Sequence, residues 1–238
     1  MSHHRPVPPL IPAAARRPAL VAVVAGAAVA VALGAVVWRG TTTPFDSWFI
    51  RHVAVDFGGS RSWQRRWWLL FSEPVVSILV PLVVLIWAWR VRQRRLAVFA
   101  AVGPLLAVAV TELIGKPLVG RVIGPFVLQG STAYGARGSY PSGHETGTVA
   151  WLIVVLVVVF GRTRRARVRA AAVTAAVVWA LAAAFGLTIN YYHYATDTIG
   201  AMGCTTAVLL AVALLTDRVA GCVADRRPGR PGGLRSSS

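Results

Sequence analysis

Charged residues are scarce in this 238-residue chain, in which Asp, Glu, Lys and Arg together account for 14% of the sequence. Soluble domains usually carry about 25% charged residues, so the shortage argues against a soluble globular protein. Hydrophobic residues make up 56%, which excludes intrinsic disorder because disordered chains need low hydrophobicity. The composition therefore indicates a membrane protein, and the length and the apolar runs favour one membrane domain.

Cysteine is also scarce, because the chain contains only Cys204 and Cys222. The first lies in a late apolar run and the second in the basic segment that follows it. Their spacing matches neither a disulfide framework nor a zinc-ligand pattern. These residues therefore predict no structural cross-link and say nothing about the redox compartment.

Acidic residues and lysine are also scarce. Lys and Arg outnumber Asp and Glu by 25 to 8, which gives a formal net charge of +17. On a soluble chain this excess would suggest nucleic acid binding. Here the basic residues lie in short loops between apolar runs, so we expect anionic lipid headgroups as partners and no nucleic acid. Lys116 is the only lysine, and the other 24 basic residues are arginines.

Six apolar stretches are long enough to cross a bilayer, which takes about 17–25 residues per helix. They cover residues 19–38, 67–89, 96–115, 144–160, 170–189 and 198–216. We therefore predict an all-α fold, an integral membrane bundle of six transmembrane helices. The bundle is expected to occupy residues 19–216, between flexible basic tails at 1–18 and 217–238.

The first apolar stretch has an alternative interpretation as a secretory signal peptide, because arginines precede it and small residues follow. Its apolar core is about 20 residues long, whereas the core of a signal peptide usually has about 7–15. We therefore expect a retained helix.

Arginines predict the orientation of the bundle. They concentrate before the first span, between the second and third, between the fourth and fifth, and after the sixth. Under the positive-inside rule, this alternation places both termini in the cytoplasm. The connection 39–66 disagrees mildly, since five arginines there would face outward, partly offset by Asp46 and Asp56. We expect a multi-pass protein of the cell membrane.

With this topology, three polar clusters fall on the extracytoplasmic side. They are Lys116 to Arg121 after the third helix, Pro141 to His144 before the fourth, and His193 to Asp197 before the sixth. Each cluster alone is weak evidence, and their occurrence on one face is the main argument for a functional site there.

The middle cluster has both a structural and a functional interpretation. Ser142 and Glu145 fit a capping box, which by itself indicates only a good helix start. A helix N-terminus also attracts phosphate through its free N–H groups and its dipole. Gly143 allows close approach of a ligand, and His144 would place a titratable ring beside a bound anion.

The other two clusters are similarly ambiguous. His193 and Asp197 are four residues apart and share a helix face, so the carboxylate can fix the tautomer of a nucleophilic imidazole. They can equally be an interfacial polar pair within an aromatic belt. Lys116 can be an interfacial anchor, but a single lysine among arginines suggests a site that needs a compact charge.

Together the clusters resemble the type 2 phosphatidate phosphatase family, also called lipid phosphate phosphatases. The family pattern is Lys-x6-Arg-Pro, then Pro-Ser-Gly-His, then Ser-Arg-x5-His-x3-Asp. The resemblance covers residues 67–216, and the Pro-Ser-Gly-His match is complete. It implies that His193 attacks phosphorus to form a phosphohistidine, that Asp197 orients His193, and that His144 protonates the leaving oxygen.

The same resemblance implies which residues hold the phosphate. Lys116 would do so together with donors of Ser142 and Gly143, and no metal or other cofactor is required in that scheme. The sequence departs from the family pattern at both arginines. Ile123 and Gly124 stand where Arg-Pro is expected, and Gly186 and Leu187 stand where Ser-Arg is expected. We expect Arg121 to fill the first gap and Arg137 the second.

The expected activity is hydrolysis of a lipid phosphate or diphosphate, of polyprenyl diphosphate or phosphatidate type, at the outer face. One alternative is a degenerate member of the family that binds lipid headgroups or a partner protein without turnover. Another is transfer of the phosphate to an acceptor other than water. A transporter is less favoured, because the acidic residues within the apolar runs, Glu73, Glu112 and Glu145, lie near span ends, and coupled transport often relies on intramembrane charges.

Overall fold

The computed structural model describes residues 9–40, 42–54, 67–122 and 138–225, and within these ranges the secondary structure is helical. The α-helices are α1 (Arg16–Val36), α2 (Pro44–Phe49), α3 (Pro74–Arg90), α4 (Arg94–Ala109), α5 (Lys116–Val119), α6 (Gly143–Arg162), α7 (Ala166–Ile189) and α8 (Ala195–Asp225). Short 3₁₀ turns lie at Ala13–Ala15, Trp38–Gly40 and Leu70–Ser72, and π-helical turns at Ile50–Ala54 and Val110–Gly115.

Six helical segments in the described ranges are long and apolar enough to cross a membrane. They are Ala13–Gly40, Trp67–Arg90, Arg94–Val119, Gly143–Arg162, Ala166–Ile189 and Ala195–Val223. Each overlaps one of the six predicted spans, so the all-α bundle is confirmed. The orientation of the termini stays a prediction from the arginines.

At both ends, the packed part of the chain extends beyond the predicted boundaries of the bundle. Leu10 and Ile11, predicted to be part of a flexible tail, are buried, and their backbone N–H groups each donate to the carboxylate of Asp217 at 2.9 Å. The helix α8 continues to Asp225, nine residues past the predicted boundary. Burial of the Leu10 and Ile11 side chains holds the N-terminal segment on the bundle. The Asp217 carboxylate accepts the backbone N–H groups of the same two residues and so joins this segment to the extended end of α8.

The first and last helices pack closely through glycine. A Cβ added to Gly26 on α1 would lie 2.5 Å from the carbonyl oxygen of Gly203 on α8, and one added to Gly203 would lie 2.7 Å from that of Gly26. Small residues commonly allow such backbone contacts between membrane helices. This contact fixes α8, and therefore its first turn, against α1.

The third span is irregular where it approaches the polar clusters. The helix α4 passes into the π-helical turn Val110–Gly115 and then into α5, which is followed by the left-handed Gly120 with φ +60°. The hydroxyls of Thr111 and Thr146 lie 3.0 Å apart and join this turn to α6. Short π-helical turns often occur at functional sites, and here the turn determines where Lys116 and Arg121 lie.

Candidate active site

The structure brings the predicted histidines of two clusters together. His144 lies in the first turn of α6, and His193 lies in the connection between α7 and α8. Their ring centroids are 6.2 Å apart. Two imidazoles at this separation can act on opposite sides of one phosphorus atom, which is the arrangement that a nucleophile and a proton donor need.

His193 is oriented by a backbone carbonyl. Its Nδ1 lies 3.0 Å from the carbonyl oxygen of Ser139 and 3.6 Å from Oδ2 of Asp197. A carbonyl oxygen only accepts hydrogen bonds, so Nδ1 carries the proton in this contact. The lone pair that can attack an electrophile is therefore on Nε2.

Asp197 is fully buried at the start of α8. Its Oδ2 accepts hydrogen bonds from the Ser139 hydroxyl and from the Tyr194 backbone N–H, the latter at 3.1 Å. The backbone N–H of Ser142 donates to the Asp197 carbonyl oxygen at 3.2 Å. These bonds tie the second and third clusters into one unit.

Ser139 is a site residue that sequence reasoning missed. It supplies the carbonyl to His193 and the hydroxyl to Asp197. Its neighbour Tyr140 anchors the same loop, because its hydroxyl donates to the Ala30 carbonyl oxygen on α1. Burial raises the pKa of Tyr140, so the phenol stays protonated and keeps this bond. Serine three residues before a helix cap has no distinctive signal in a single sequence.

Only one of the two hydrogen bonds of the predicted capping box is found at the N-terminus of α6. The Ser142 hydroxyl accepts from the Glu145 backbone N–H at 3.3 Å. The Glu145 carboxylate is buried and has no hydrogen-bond partner among the described residues, so the reciprocal half of the predicted capping box is absent there.

Lys116 lies beside the first turn of α6. Its Nζ lies 2.6 Å from Oε1 of Glu112. A Cβ added to Gly143 would lie 2.5 Å from that carboxylate oxygen and 3.5 Å from the ammonium nitrogen. A side chain at this position would therefore displace the end of the flexible Glu112 side chain and move the Glu112–Lys116 pair away from the helix N-terminus.

An apolar groove of about 580 Å³ leads to these groups. Its polar end contains Lys116, Glu112, Gly143 and His144. Its walls come from α3 and α4, with Ile78, Leu82, Leu85, Pro104, Leu105 and Val108 among the lining residues. A cation and a histidine at the end of an apolar groove suit an amphiphilic anion.

Arg121 lies away from this groove, in a buried cluster of charges. Its guanidinium is fully buried and donates to Asp197, to Oδ2 of Asp46 at 2.7 Å, and to the Thr196 hydroxyl at 2.8 Å. The structure thus brings Arg121 to the histidine partner rather than to the end of the groove. Sequence reasoning treated Asp46 only as an offset to nearby arginines.

The structure says less about the other positions where the sequence departs from the family pattern. Arg137 lies outside the described residues, as do Ile123 and Gly124. Leu187, at the position of the expected third-motif arginine, is fully buried. Among the residues that the structure describes, no group of three or more His, Cys, Asp or Glu side chains is arranged to hold a metal ion.

Comparison with known proteins gives one match. A family model described as the PAP2 superfamily matches residues 96–220, just over half of the chain. No curated protein and no solved structure matches significantly. The matched segment contains the three polar clusters and excludes Asp46.

Proposed function

Because the chain belongs to the PAP2 superfamily, we propose that this membrane protein hydrolyses a lipid phosphate or diphosphate through a phosphohistidine intermediate. The observation that carries the proposal is the approach of His193 to within 6.2 Å of His144, which lines the polar end of an apolar groove. No metal is needed for the steps below.

The first step forms a bond between Nε2 of His193 and phosphorus. The bond from phosphorus to the leaving oxygen breaks, and that oxygen takes a proton from His144. The Nδ1–H contact with the Ser139 carbonyl at 3.0 Å keeps the imidazole in the required tautomer. Asp197 supports the ring as it gains positive charge, because the carboxylate is buried 3.6 Å away and acts in a low-dielectric setting.

The second step releases inorganic phosphate. His144, now unprotonated, takes a proton from water as the water oxygen attacks phosphorus. The bond between phosphorus and Nε2 then breaks, which restores neutral His193 and protonated His144. One residue serves as acid in the first step and as base in the second.

Lys116 and the N-terminus of α6 hold the phosphate in this proposal. The ammonium supplies a compact charge, and the first turn of a 20-residue helix supplies backbone donors and a favourable dipole. Ser142 and Gly143 form that turn. A bound phosphate competes with Glu112 for Lys116, because the carboxylate lies 2.6 Å from Nζ.

The groove supports a lipid as the substrate. Its apolar walls on α3 and α4 match an acyl or polyprenyl chain better than a soluble headgroup, because burying each CH₂ contributes roughly 0.8 kcal/mol. A polyprenyl diphosphate or a phosphatidate-like lipid fits this description. The arginine distribution supports an extracytoplasmic site in the cell membrane.

The test is phosphate release by the purified protein in detergent. Phosphatidate, phosphatidylglycerol phosphate and polyprenyl diphosphate are compared, each with and without a chelator. We expect turnover of at least one lipid that survives the chelator and is abolished in His193→Ala. Full activity in His193→Ala would exclude this nucleophile.

A second candidate is a protein that binds lipid headgroups without turnover. It is favoured by the buried Leu187 at an expected arginine position and by the contacts that turn Arg121 toward Asp46 and Asp197. A phosphohistidine trapped on His193 would exclude it.

A further inference from the structure

Asp46 lies on the short helix α2, before the segment that matches the family model, yet its carboxylate reaches the first turn of α8. It accepts from the Thr196 backbone N–H at 3.0 Å and from the Thr196 hydroxyl at 2.8 Å. It also accepts from Nη2 of Arg121 at 2.7 Å. Asp46 is 1% exposed, so all of these bonds form away from water.

Local structure holds Asp46 in place. It is the third residue of α2, where it completes a capping box with Thr43. The Thr43 hydroxyl donates to Oδ2 of Asp46 at 2.9 Å, and the Asp46 backbone N–H donates to that hydroxyl at 3.0 Å. A capping box fixes a side chain as well as a helix end, so the carboxylate is a rigid anchor.

Arg121 connects this anchor to the histidine partner. Its Nη2 bonds to Asp46, and its Nη1 bonds to Oδ1 of Asp197. The guanidinium carbon lies 4.0 Å from the centroid of the Tyr194 ring. A planar guanidinium with two carboxylate partners and a stacked ring has one orientation, and it transmits the position of Asp46 to Asp197.

The two carboxylate oxygens of Asp197 face different partners. Oδ1 accepts from Arg121, whereas Oδ2 faces the Ser139 hydroxyl, the Tyr194 backbone N–H and Nδ1 of His193. Rotation of the carboxylate would break bonds on both sides at once. The Arg121 contact therefore fixes which oxygen His193 meets.

We propose that Asp46 and Arg121 are positioning residues, which hold the Asp197 carboxylate in the orientation that His193 needs for attack on phosphorus. In this assignment Arg121 acts through Asp197 and does not contact the phosphate. The inference rests on the proposed role of His193 as the nucleophile. Two carboxylates and one guanidinium also leave one net negative charge beside the imidazole, which favours the ring as it becomes positive.

A role in folding alone is the competing explanation, and Asp217 provides the matched control. This aspartate is also buried, accepts two backbone N–H groups at 2.9 Å and lies 3.7 Å from Arg95. It is on α8, about 30 Å from Asp197 at 1.5 Å of rise per residue. Asp217→Asn therefore removes a comparable charge without touching the histidines.

The experiment compares Asp46→Asn, Arg121→Lys and Asp217→Asn in the full-length protein in detergent. For the first two variants we expect kcat to fall about 10- to 100-fold, the value of one or two charge-assisted hydrogen bonds. KM should stay within about threefold, because substrate binding is untouched. Asp217→Asn should lower Tm as much as Asp46→Asn does and leave kcat unchanged.

A double variant separates positioning from charge neutralisation. If Arg121 only neutralises Asp46, Asp46→Asn combined with Arg121→Gln restores wild-type kcat, and the proposal is wrong. We expect the double variant to be more stable than Arg121→Gln alone, because it leaves one buried carboxylate, Asp197, without its cation, whereas Arg121→Gln leaves both Asp46 and Asp197 without one. Its kcat should nevertheless stay as low as that of Arg121→Lys or lower.

A chemical readout makes the test independent of turnover. Diethyl pyrocarbonate acylates unprotonated imidazole nitrogen, and peptide mass spectrometry gives the rate at each histidine. In Asp46→Asn we expect slower acylation of His193, with the rate at His144 as the internal reference. If the wild type hydrolyses no lipid phosphate but this slowing is found, the proposed function fails and the positioning role stands. If the wild type is active and Asp46→Asn loses only Tm, the positioning role is overturned and the proposed function stands.

Discussion

Nδ1 of His193 lies 3.0 Å from the backbone carbonyl oxygen of Ser139. A main-chain group thus fixes the tautomer of the proposed nucleophile, and substitution of the Ser139 side chain leaves that bond in place. The side chain does something else, since its hydroxyl donates to the buried Asp197. The two contacts of one residue can therefore be separated by mutation.

Ser139→Ala should lower kcat about five- to tenfold, because it removes one hydrogen bond to a charged acceptor but keeps the carbonyl. KM for the lipid substrate should be unchanged. Ser72→Ala is the matched control, since Ser72 is also buried and donates to the Leu69 carbonyl oxygen at 3.1 Å, at the start of another helix. Steady-state kinetics of both variants check this, and an equal loss of kcat in the two would contradict it.

Glu112→Gln should strengthen inhibition by inorganic phosphate. The carboxylate competes with phosphate for Lys116, at 2.6 Å from Nζ, and a neutral amide competes less. We expect the inhibition constant to fall about fivefold, the size of a partly exposed ion pair of about 1 kcal/mol. Lys116→Met should raise the same constant. Weaker phosphate inhibition in Glu112→Gln would show that the carboxylate assists binding.

Gly143→Ala and Gly161→Ala form a matched pair on α6. A Cβ at Gly143 would lie 2.5 Å from the Glu112 carboxylate oxygen, whereas a Cβ at Gly161 meets nothing within 4 Å. Alanine is the better helix former, by about 1 kcal/mol in a helix interior and by less at its ends, so neither change should destabilise the protein through helix propensity. Gly143→Ala should reduce kcat/KM more than about tenfold, with Gly161→Ala as active as wild type. Equal activities would place the reaction elsewhere.

Ala101→Trp should discriminate between substrates by chain length. Ala101 lines the groove, so a large ring there displaces part of a lipid chain. KM for a long-chain substrate should rise about five- to tenfold, equivalent to roughly 1 kcal/mol of lost apolar burial. Hydrolysis of a short-chain soluble phosphate should be unchanged.

Val98→Trp supplies the control for the groove, because Val98 lies on α4, is 48% exposed and does not line the groove among the described residues. A KM for the long-chain lipid that is equal in Ala101→Trp and Val98→Trp would mean that the chain binds outside the groove.

Patterns local in the sequence predicted most of the fold. Six apolar stretches predicted six spans, because a bilayer requires long apolar helices with internally bonded backbone. Ser142 was identified as a cap from its own neighbourhood, and the structure confirms its bond to the Glu145 N–H. The approach of His144 to His193 followed from topology, since both lie at helix starts on one side.

Contacts between distant segments could not be predicted in this way. Asp46 precedes Arg121 by 75 residues and Thr196 by 150, and no periodicity links them. The direction of Arg121 depends on the π-helical turn Val110–Gly115 and on the left-handed Gly120. The sequence places Arg121 with Lys116 in one cluster after the third helix, and the role of Arg121 as a phosphate ligand stays a prediction that the positioning experiment also tests.

The most direct test of the account is to trap the covalent intermediate. The protein in detergent is mixed with lipid carrying ³²P in the transferred phosphoryl group, quenched in alkali to preserve phosphohistidine, and mapped by peptide mass spectrometry. We predict label on His193, no label in His193→Gln, and slower labelling in His144→Gln, because that variant lacks the proton donor for the leaving oxygen in the first step. Turnover of the lipid with no label on His193, or with label on another residue, would contradict the central claim.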